Sequence, residues 1–133
     1  MKKLTLTAWK KKVWAQVSIY VRTQELDKSG RATCFTCNLK KKWKKMYAGH
    51  FVQGRRPSIL FILEIIRVQC VGCNRFRHGN LNRFIPKMVH QYGIEQILIW
   101  FKMAEMKVEY DQSHYENLFN KFYTLNKSRG FVK

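Results

Sequence analysis

Two pairs of cysteines constrain the fold of this 133-residue chain more than any other feature of its sequence. Each pair has the form Cys-x-x-Cys, and the pairs are Cys34 with Cys37 and Cys70 with Cys73. A tetrahedral Zn²⁺ takes four thiolates, and a gap of two residues lets one turn present both sulfurs to the same ion. A redox pair needs only one such motif, beside a βαβ pattern that the sequence lacks, and unrelated buried thiols are the remaining alternative. We therefore predict a closed, structural zinc site that cross-links the chain.

Charge is the second constraint, because 26 Lys and Arg residues face only 8 Asp and Glu, for a formal net charge of +18. The excess is greater in residues 1–66 than in the rest of the chain. Such a charge opposes compaction, and a polyanion would relieve it. Apolar residues make up 46% and aromatic residues 14% of the chain, which is enough for a core and excludes a disordered basic tail. We expect one folded, cationic domain with an acidic partner.

Hydrophobic segments are short throughout the chain. The beginning of the sequence lacks the apolar stretch of a secretory signal, since Lys10, Lys11 and Lys12 interrupt it. The longest apolar run, residues 58–68, is broken by Glu64 and falls short of the roughly 20 residues that a membrane crossing needs. We expect no membrane partner, a reducing cytoplasmic location and, for that reason, no disulfides.

Secondary structure in the first half is predicted from apolar spacing and turn residues. Apolar side chains recur at three- and four-residue intervals over residues 8–26, which predicts an amphipathic helix with Thr7 as its N-cap. Residues 31–51 are β-compatible and bounded by turns, and they predict a hairpin. Part of the apolar run 58–66 is expected to form a strand.

The second half is predicted to be helical. A short helix is expected after Cys73, and longer helices over residues 81–92, which Gly93 ends, and 94–106. Pro86 should delay or kink the first of these. A final helix is expected from the capping-box sequence Ser113-x-x-Glu116, and its aromatic stripe should pack inward. The expected fold class is α+β, with a zinc-stapled core between an N-terminal helix and a helical C-terminal third.

Side chains suited to phosphodiester hydrolysis lie close to the cysteines. If a helix begins near Cys73, Asn74 and His78 lie four residues apart on one face and could hold a divalent cation. His50, in the predicted hairpin, would face that ion. Imidazole has a suitable pKa to deprotonate an attacking water, while a metal neutralises the pentacovalent phosphate. We therefore predict a site with one histidine base and one metal.

Basic residues near this site are candidates for contacts to DNA phosphates, through charge-assisted hydrogen bonds and long-range attraction. The helix start near Asn74 would add its positive dipole end. The lysine-rich run over residues 40–45 could instead be a solvated hairpin tip, but the net charge favours contact with phosphates. The candidates are Lys41, Lys42, Lys44, Lys45, Arg55, Arg56, Arg75 and Arg77.

Several motifs between about residues 13 and 93 resemble those of one nuclease family. The motifs are Trp14-x-x-Val17-Ser18-x-Tyr20-Val21-Arg22, Cys34-Phe35-Thr36-Cys37, Ala48-Gly49-His50-Phe51, Gly54-Arg55, Gln69-Cys70-x-Gly72-Cys73-Asn74 and Gly79-Asn80. In these the chain resembles the HNH (ββα-metal) nucleases, and among them the NinG/Rap family of phage recombination endonucleases.

This resemblance implies a role for each candidate residue and a class of substrate. It implies His50 as the general base, Asn74 as a ligand of catalytic Mg²⁺ or Mn²⁺, and the four cysteines on structural zinc. His78 sits where some HNH enzymes place a further metal ligand. The implied substrate is branched recombination DNA of the Holliday-junction or D-loop type, cut by a phage-encoded enzyme inside a bacterial cell. A homodimer and a recombination-protein partner are left open.

Two positions depart from the general HNH pattern. Many HNH motifs carry a metal-binding Asp directly before the base, where this chain has Gly49, as does the family that it resembles. The middle Asn of the pattern, which braces the loop that holds the base, would fall at Ile65, and isoleucine cannot make that hydrogen bond. We expect Ile65 to weaken cleavage, and an Ile65→Asn substitution to raise it.

Three functions follow from the sequence, in decreasing order of support. The first is a metal-dependent endonuclease, formed by a single HNH-like domain with an N-terminal helix (1–30), a zinc and HNH core (31–80) and a helical extension (81–133). The second is a zinc-stabilised DNA-binding module that has lost catalysis. The third is an adaptor that binds proteins through the aromatic helix over residues 115–122, which leaves the excess charge unexplained.

Overall fold

The computed structural model describes residues 3–133, which form α-helices and two small antiparallel sheets. The predicted α+β class, with helices at both ends of the chain, is confirmed. In chain order the elements are α1 (Leu6–Arg22), β1 (Arg31–Thr33), β2 (Lys40–Lys42), β3 (Tyr47–His50), β4 (Ile66–Gln69), a single π-helical turn (Gly72–Phe76), α2 (Leu81–Tyr92), α3 (Ile94–Met103) and α4 (Gln112–Ser128).

The chain divides into two compact units. One combines the chain up to Tyr20 with Glu109–Lys133, and the other is Val21–Val108. The cysteines and the residues around them belong to the second unit. The single domain with three consecutive parts, expected from the sequence, stays a prediction.

The first unit is built from most of α1 and from α4. Val13 and Val17 on α1 and Tyr115 and Phe122 on α4 are buried, as the apolar spacing predicted. The ring of Tyr20 meets Phe122 edge-on with 5.3 Å between centroids. Tyr115 and Phe122 of the aromatic stripe therefore belong to the core of this unit, and the adaptor function stays a prediction.

Both predicted helix caps were wrong by about two residues. The Oγ1 atom of Thr5, not Thr7, accepts the hydrogen bond from the backbone N–H of Ala8 at 3.1 Å. At α4 the cap is Asp111, whose Oδ1 accepts from the N–H of His114 at 3.0 Å. In both places an earlier residue with a short oxygen-bearing side chain reaches the N–H three residues on, so the helix begins sooner.

The second unit contains both sheets. β1 pairs with β2, and β3 pairs with β4 in a register that places Tyr47 opposite Gln69 and His50 opposite Ile66. The predicted hairpin is confirmed for β1 and β2. β3, however, pairs with β4, which lies 16 residues later in the chain. The π-turn follows β4 directly, so two strands and a short helical turn stand in the order ββα.

The apolar run before β4 is not a strand, as the sequence had suggested for part of it. Residues 58–65 form turns, and the strand begins only at Ile66. A strand would send alternate side chains to opposite faces, whereas the turns allow Ile59, Leu60 and Ile65 all to be buried. Burial of these side chains in the core of the unit therefore decided the backbone conformation, against the β-propensity of the run.

Helices α2 and α3 complete the second unit. α2 ends at Gly93 with φ at 83°, a left-handed value that favours glycine, as predicted. It accommodates Pro86 in its interior, and α3 ends at Met103 instead of Met106. Phe84 and Met88 of α2 are fully buried. Within residues 3–133 no helix has both the length and the apolar character needed to span a bilayer.

Candidate metal centre and active-site cavity

The four cysteines come together in the second unit. Their sulfur atoms all lie within 4.8 Å of one another, and those of Cys37 and Cys70 are 3.6 Å apart. Zinc–sulfur bonds of about 2.3 Å in a tetrahedron would place the sulfurs about 3.8 Å apart. Cys34, Cys70 and Cys73 are buried, and all four thiols are free of disulfides. The cluster therefore fits a closed, four-coordinate zinc site.

The four thiols of the cluster do not ionise equally easily. Burial opposes the thiolate of Cys34, but hydrogen bonds from the Thr36 hydroxyl and from neighbouring backbone N–H groups outweigh it and lower the pKa of Cys34 to about 6. Burial raises the pKa of Cys37 to about 12 and also raises the pKa of Cys70. A bound zinc ion would have to displace the protons of Cys37 and Cys70, because it takes thiolates as ligands.

Two N–H groups near the cluster donate to its sulfurs. The backbone N–H of Cys73 donates to the sulfur of Cys70 at 3.4 Å, and the side chain of Asn80 donates to the sulfur of Cys73 at 3.3 Å. Asn80 is also the residue before α2, with φ at 50° in the left-handed region. Such bonds stabilise thiolates and hold the first turn of α2 against the cysteine cluster.

A polar cavity of about 290 Å³ lies beside the cluster, and it gathers the three residues singled out for catalysis. His50 at the end of β3, Asn74 in the π-turn and His78 after it all line this cavity. Its remaining lining residues are Ala48, Val52, Gln53, Gly54, Arg55 and Gly79, so its only charged member is Arg55.

The ring of His50 is fixed by the loop that joins β3 to β4. Its Nε2 atom lies 2.8 Å from the carbonyl oxygen of Leu60, which can only accept, so Nε2 carries the proton and Nδ1 holds the lone pair in the neutral ring. Burial lowers the pKa of His50, the Leu60 hydrogen bond opposes this shift, and the charge of Arg55 adds to it. His50 is therefore a neutral imidazole of defined tautomer at neutral pH.

The amide of Asn74 is oriented by a buried glutamine. Gln69, with no solvent-exposed surface, donates through Nε2 to Thr36 Oγ1 at 3.1 Å and to the Gly79 carbonyl at 2.8 Å. Its Oε1 atom accepts from Asn74 Nδ2 at 3.3 Å. The Asn74 amide nitrogen is thus directed toward Gln69, which leaves its Oδ1 as the donor atom for a cation.

This arrangement explains why residue 49 is a glycine. A Cβ atom built on Gly49 would lie 2.1 Å from Gln69 Oε1 and 2.9 Å from Asn74 Nδ2. The space that an aspartate would need directly before His50 is therefore filled by the Gln69 amide. In place of an acidic ligand, this chain has a neutral amide that positions Asn74.

The same glutamine connects the cavity to the cysteine cluster. The hydroxyl of Thr36 lies 3.4 Å from the sulfur of Cys34 and accepts from Gln69, which in turn holds Asn74. Thr36 and Gln69 are both buried. A continuous chain of hydrogen bonds therefore runs from a sulfur of the cysteine cluster to Asn74 in the cavity.

His78 reaches the cavity in a different way from the one predicted. The sequence placed Asn74 and His78 on one face of an α-helix, but the helical turn is of the π type and ends at Phe76. His78 lies beyond it with φ at 48°, and Arg55 across the cavity has φ at 49°. Left-handed backbone at non-glycine residues stores strain of about 1–3 kcal/mol each, and such strain clusters at functional sites.

The basic candidates are all solvent-exposed. Lys41 and Lys42 lie at the end of β2 and Lys44 and Lys45 in the short 3₁₀ turn after it, so the lysine run is strand and turn and not a hairpin tip. Arg55 lines the cavity and Arg56 follows it in the β3–β4 loop. Arg75 and Arg77 are exposed on either side of Phe76 in and after the π-turn.

Ile65, at the position of the missing HNH asparagine, is fully buried in the second unit. The segment that carries His50 is instead braced by backbone atoms, since the N–H of Phe51 donates to the Ile65 carbonyl at 2.7 Å and His50 donates to the Leu60 carbonyl. The expected gain of activity from Ile65→Asn does not follow from this geometry, because an asparagine here would put its amide in the core.

Sequence reasoning missed four contributors to this region. They are Thr36 and Gln69, which connect the two sites, the Leu60 carbonyl, which sets the His50 tautomer, and Asn80, which donates to the sulfur of Cys73. Gln69 and Asn80 belong to motifs that were noted, yet nothing in the sequence showed where their amides would point. A backbone carbonyl such as that of Leu60 leaves no sequence signal at all.

Comparison with known proteins identifies the family of this chain. No curated protein and no solved structure matches the chain. Residues 1–127, which include the cysteine cluster and the cavity, match the family described as Bacteriophage Lambda NinG protein. Because the match covers nearly the whole chain, this protein belongs to the NinG family of phage proteins.

Proposed function

We propose that this chain is a metal-dependent endonuclease that cleaves DNA, with His50 as the general base. The observation that carries the proposal is the meeting of His50, Asn74 and His78 at one cavity beside a cysteine cluster suited to zinc. The ββα order of β3, β4 and the π-turn agrees with the HNH resemblance of the sequence motifs.

His50 would remove a proton from the water that attacks the phosphorus atom. The proton passes to Nδ1, because Nε2 already carries one and donates to the Leu60 carbonyl. That carbonyl also stabilises the cationic ring that results. Since burial lowers the pKa of His50, the ring is neutral and able to accept a proton at neutral pH.

The residues present fit a divalent cation that is shared with DNA. Asn74 Oδ1 and the His78 ring would hold it, and neither contributes a negative charge. When bound, Mg²⁺ or Mn²⁺ would neutralise charge on the phosphate and on the departing oxygen. Mg²⁺ commonly keeps several waters and relies on substrate phosphates for part of its shell, so a site of neutral protein donors should bind it tightly only together with DNA.

Charge supports DNA as the substrate. Arg55 lies in the cavity wall, where its guanidinium could bind a phosphate oxygen next to the scissile bond. The other exposed candidates would contact flanking phosphates, and they are Lys41, Lys42, Lys44, Lys45, Arg56, Arg75 and Arg77. With 26 basic and 8 acidic residues, most cations of this chain have no carboxylate available to pair with. Branched recombination DNA, within a phage-infected bacterial cytoplasm, is the substrate that the sequence resemblance favours.

The test is cleavage of labelled branched and linear DNA by the purified, zinc-loaded protein with Mg²⁺ or Mn²⁺. We expect His50→Ala and Asn74→Ala to reduce the rate by a factor of about 10²–10⁴, the usual contribution of a positioned acid or base. His90→Ala, which changes an exposed histidine of α2, is the matched control and should cleave normally. Equal rates for all four proteins would exclude this cavity as the active site.

A non-catalytic DNA-binding module is the second candidate. It is favoured by the donor set, because no carboxylate lines the cavity. This function predicts DNA binding that weakens steeply with added salt, without cleavage under any metal. Metal-dependent nicking that His50→Ala abolishes would exclude it.

A further inference from the structure

An aromatic side chain stands exposed next to the cavity. Phe76, the last residue of the π-turn, is 78% exposed, and among the described residues the next most exposed large apolar side chain is Leu98, at 57%. Phenylalanine is usually buried on folding, because transfer of its ring out of water is favourable. This ring is therefore available for contact with another molecule.

The turn that carries Phe76 is held by the cysteine segment. The backbone N–H groups of Asn74 and Gly79 donate to the carbonyls of Cys70 and Cys73 at 2.9 and 2.8 Å. The N–H of Arg77 donates to the Gly72 carbonyl at 2.9 Å. Phe76 is thus displayed by a fixed turn, and a ligand that uses its ring would not have to order a loop first.

Its neighbours in the chain are suited to a nucleic-acid strand. Arg75 and Arg77 on either side of Phe76 are exposed and can bind phosphates. Asn74 and His78, two residues away in each direction, line the cavity that would hold the scissile phosphate. The Arg75 guanidinium also lies 5.9 Å from the ring of Tyr47, a second partly exposed aromatic residue.

We propose that Phe76 stacks on an unpaired base of the DNA strand bound at the cavity. Stacking on an aromatic ring is available to any base that has left the helix, whereas bases in a duplex are already stacked on their neighbours. Phe76 would therefore select DNA with unpaired bases near the cleavage point, such as a fork or the centre of a branch. The proposal rests on DNA binding at the proposed site and does not require that cleavage occurs.

The experiment measures dissociation constants by fluorescence anisotropy for a forked DNA with a single-stranded arm and for a fully paired duplex of equal length. We expect Phe76→Ala to weaken fork binding roughly tenfold and duplex binding less than twofold, because one base stack contributes about 1–3 kcal/mol. Phe76→Trp should restore the preference for the fork. Leu98→Ala, at an exposed apolar residue of α3, is the matched control and should leave both constants unchanged.

A second readout reports stacking directly. In the wild type, 2-aminopurine in the single-stranded arm should change its fluorescence on binding, and Phe76→Ala should abolish that change. Equal weakening on fork and duplex, or no weakening on the fork, would overturn the proposal. Fork-selective binding that depends on Phe76, in a protein that never cleaves, would refute the nuclease and support the stacking.

Discussion

The cysteine cluster and the cavity share the segment from Gln69 to Asn80, but the first is closed and the second opens to solvent. The cluster consists of four thiols, three of them buried, with hydrogen bonds to their sulfurs from Thr36, Cys73 and Asn80. The cavity is lined by neutral residues and one arginine, and two of its non-glycine residues, Arg55 and His78, have left-handed backbone.

This difference shows how a small unit can support a strained site. Closed zinc sites contribute folding free energy, and open sites keep positions for substrate and water. Here the strained turn around His78 is attached by backbone hydrogen bonds to the cysteine segment. The stability of the first site can therefore offset the strain of the second, and the following experiments separate the two contributions.

Removal of zinc should have the largest effect. The binding free energy of structural zinc is about 10–16 kcal/mol in small domains. This is as large as the whole free energy of unfolding of most domains, which is about 5–15 kcal/mol. We expect chelation, or the Cys70→Ser substitution, to abolish the cooperative unfolding transition of residues 21–108. Circular dichroism during heating measures this transition. Added Zn²⁺ should restore the transition of the chelated wild type, and Mg²⁺ should not. Metal-free protein that melts at the original temperature would show that the cluster is not a zinc site.

Ile65→Asn should destabilise the second unit by about 2–5 kcal/mol, the range for loss of a large buried aliphatic side chain. Ile65 has no exposed surface, and the new amide would be buried with it. Glu64→Asn, in the same turn but exposed, is the control and should change little. Urea unfolding measures both, and an Ile65→Asn protein of unchanged stability and higher activity would restore the bracing role that the HNH pattern suggests.

Gly49→Ala tests the connection between the two sites. Its Cβ would collide with Gln69 Oε1, and we expect about 1–3 kcal/mol of destabilisation, typical of an overpacked core, together with loss of the Asn74 orientation. Gly72→Ala is the control, because the nearest atom to its Cβ is at 3.8 Å. Adding Gln69→Ala to Gly49→Ala should cost less than the sum of the single changes. Additive losses would mean that the two residues are not in contact.

The smallest effect expected is a pH dependence due to His50. Because burial lowers its pKa below 6.5 in the folded state, the unfolded chain binds more protons as pH falls through 6.5, and stability declines on the acidic side. His50→Gln should remove this part of the decline, as measured by urea unfolding between pH 5 and 8. Parallel curves for the two proteins would mean that His50 is not buried as described.

Sequence patterns predicted the features that depend on spacing. The cysteine cluster follows from two Cys-x-x-Cys motifs, and the ends of α2 follow from its apolar period and Gly93. The strand assigned within residues 58–66 was wrong because a continuous apolar run does not show whether alternate side chains face one side or all face the core. Packing around Ile59, Leu60 and Ile65 decided that question, and packing depends on residues far away in the chain.

The sequence indicated the candidate residues and their chemistry, but not the hydrogen bonds that orient them. His50, Asn74 and His78 all line one cavity, and their catalytic roles stay predictions. The tautomer of His50 depends on a backbone carbonyl ten residues away, and the orientation of Asn74 depends on an amide fixed by Thr36 and Gly79. Hydrogen-bond directions of this kind are set by tertiary structure, so local sequence cannot reveal them.

Gln69 has consequences for anyone who would transplant this cavity into another scaffold. Its amide is engaged at both ends, by Thr36 and Gly79 through nitrogen and by Asn74 through oxygen. A graft that copied His50, Asn74 and His78 alone would leave Asn74 free to rotate. A host side chain at position 49 could then occupy the space that the Gln69 amide fills here. The smallest transferable piece therefore includes both cysteine pairs and the metal that they are suited to hold.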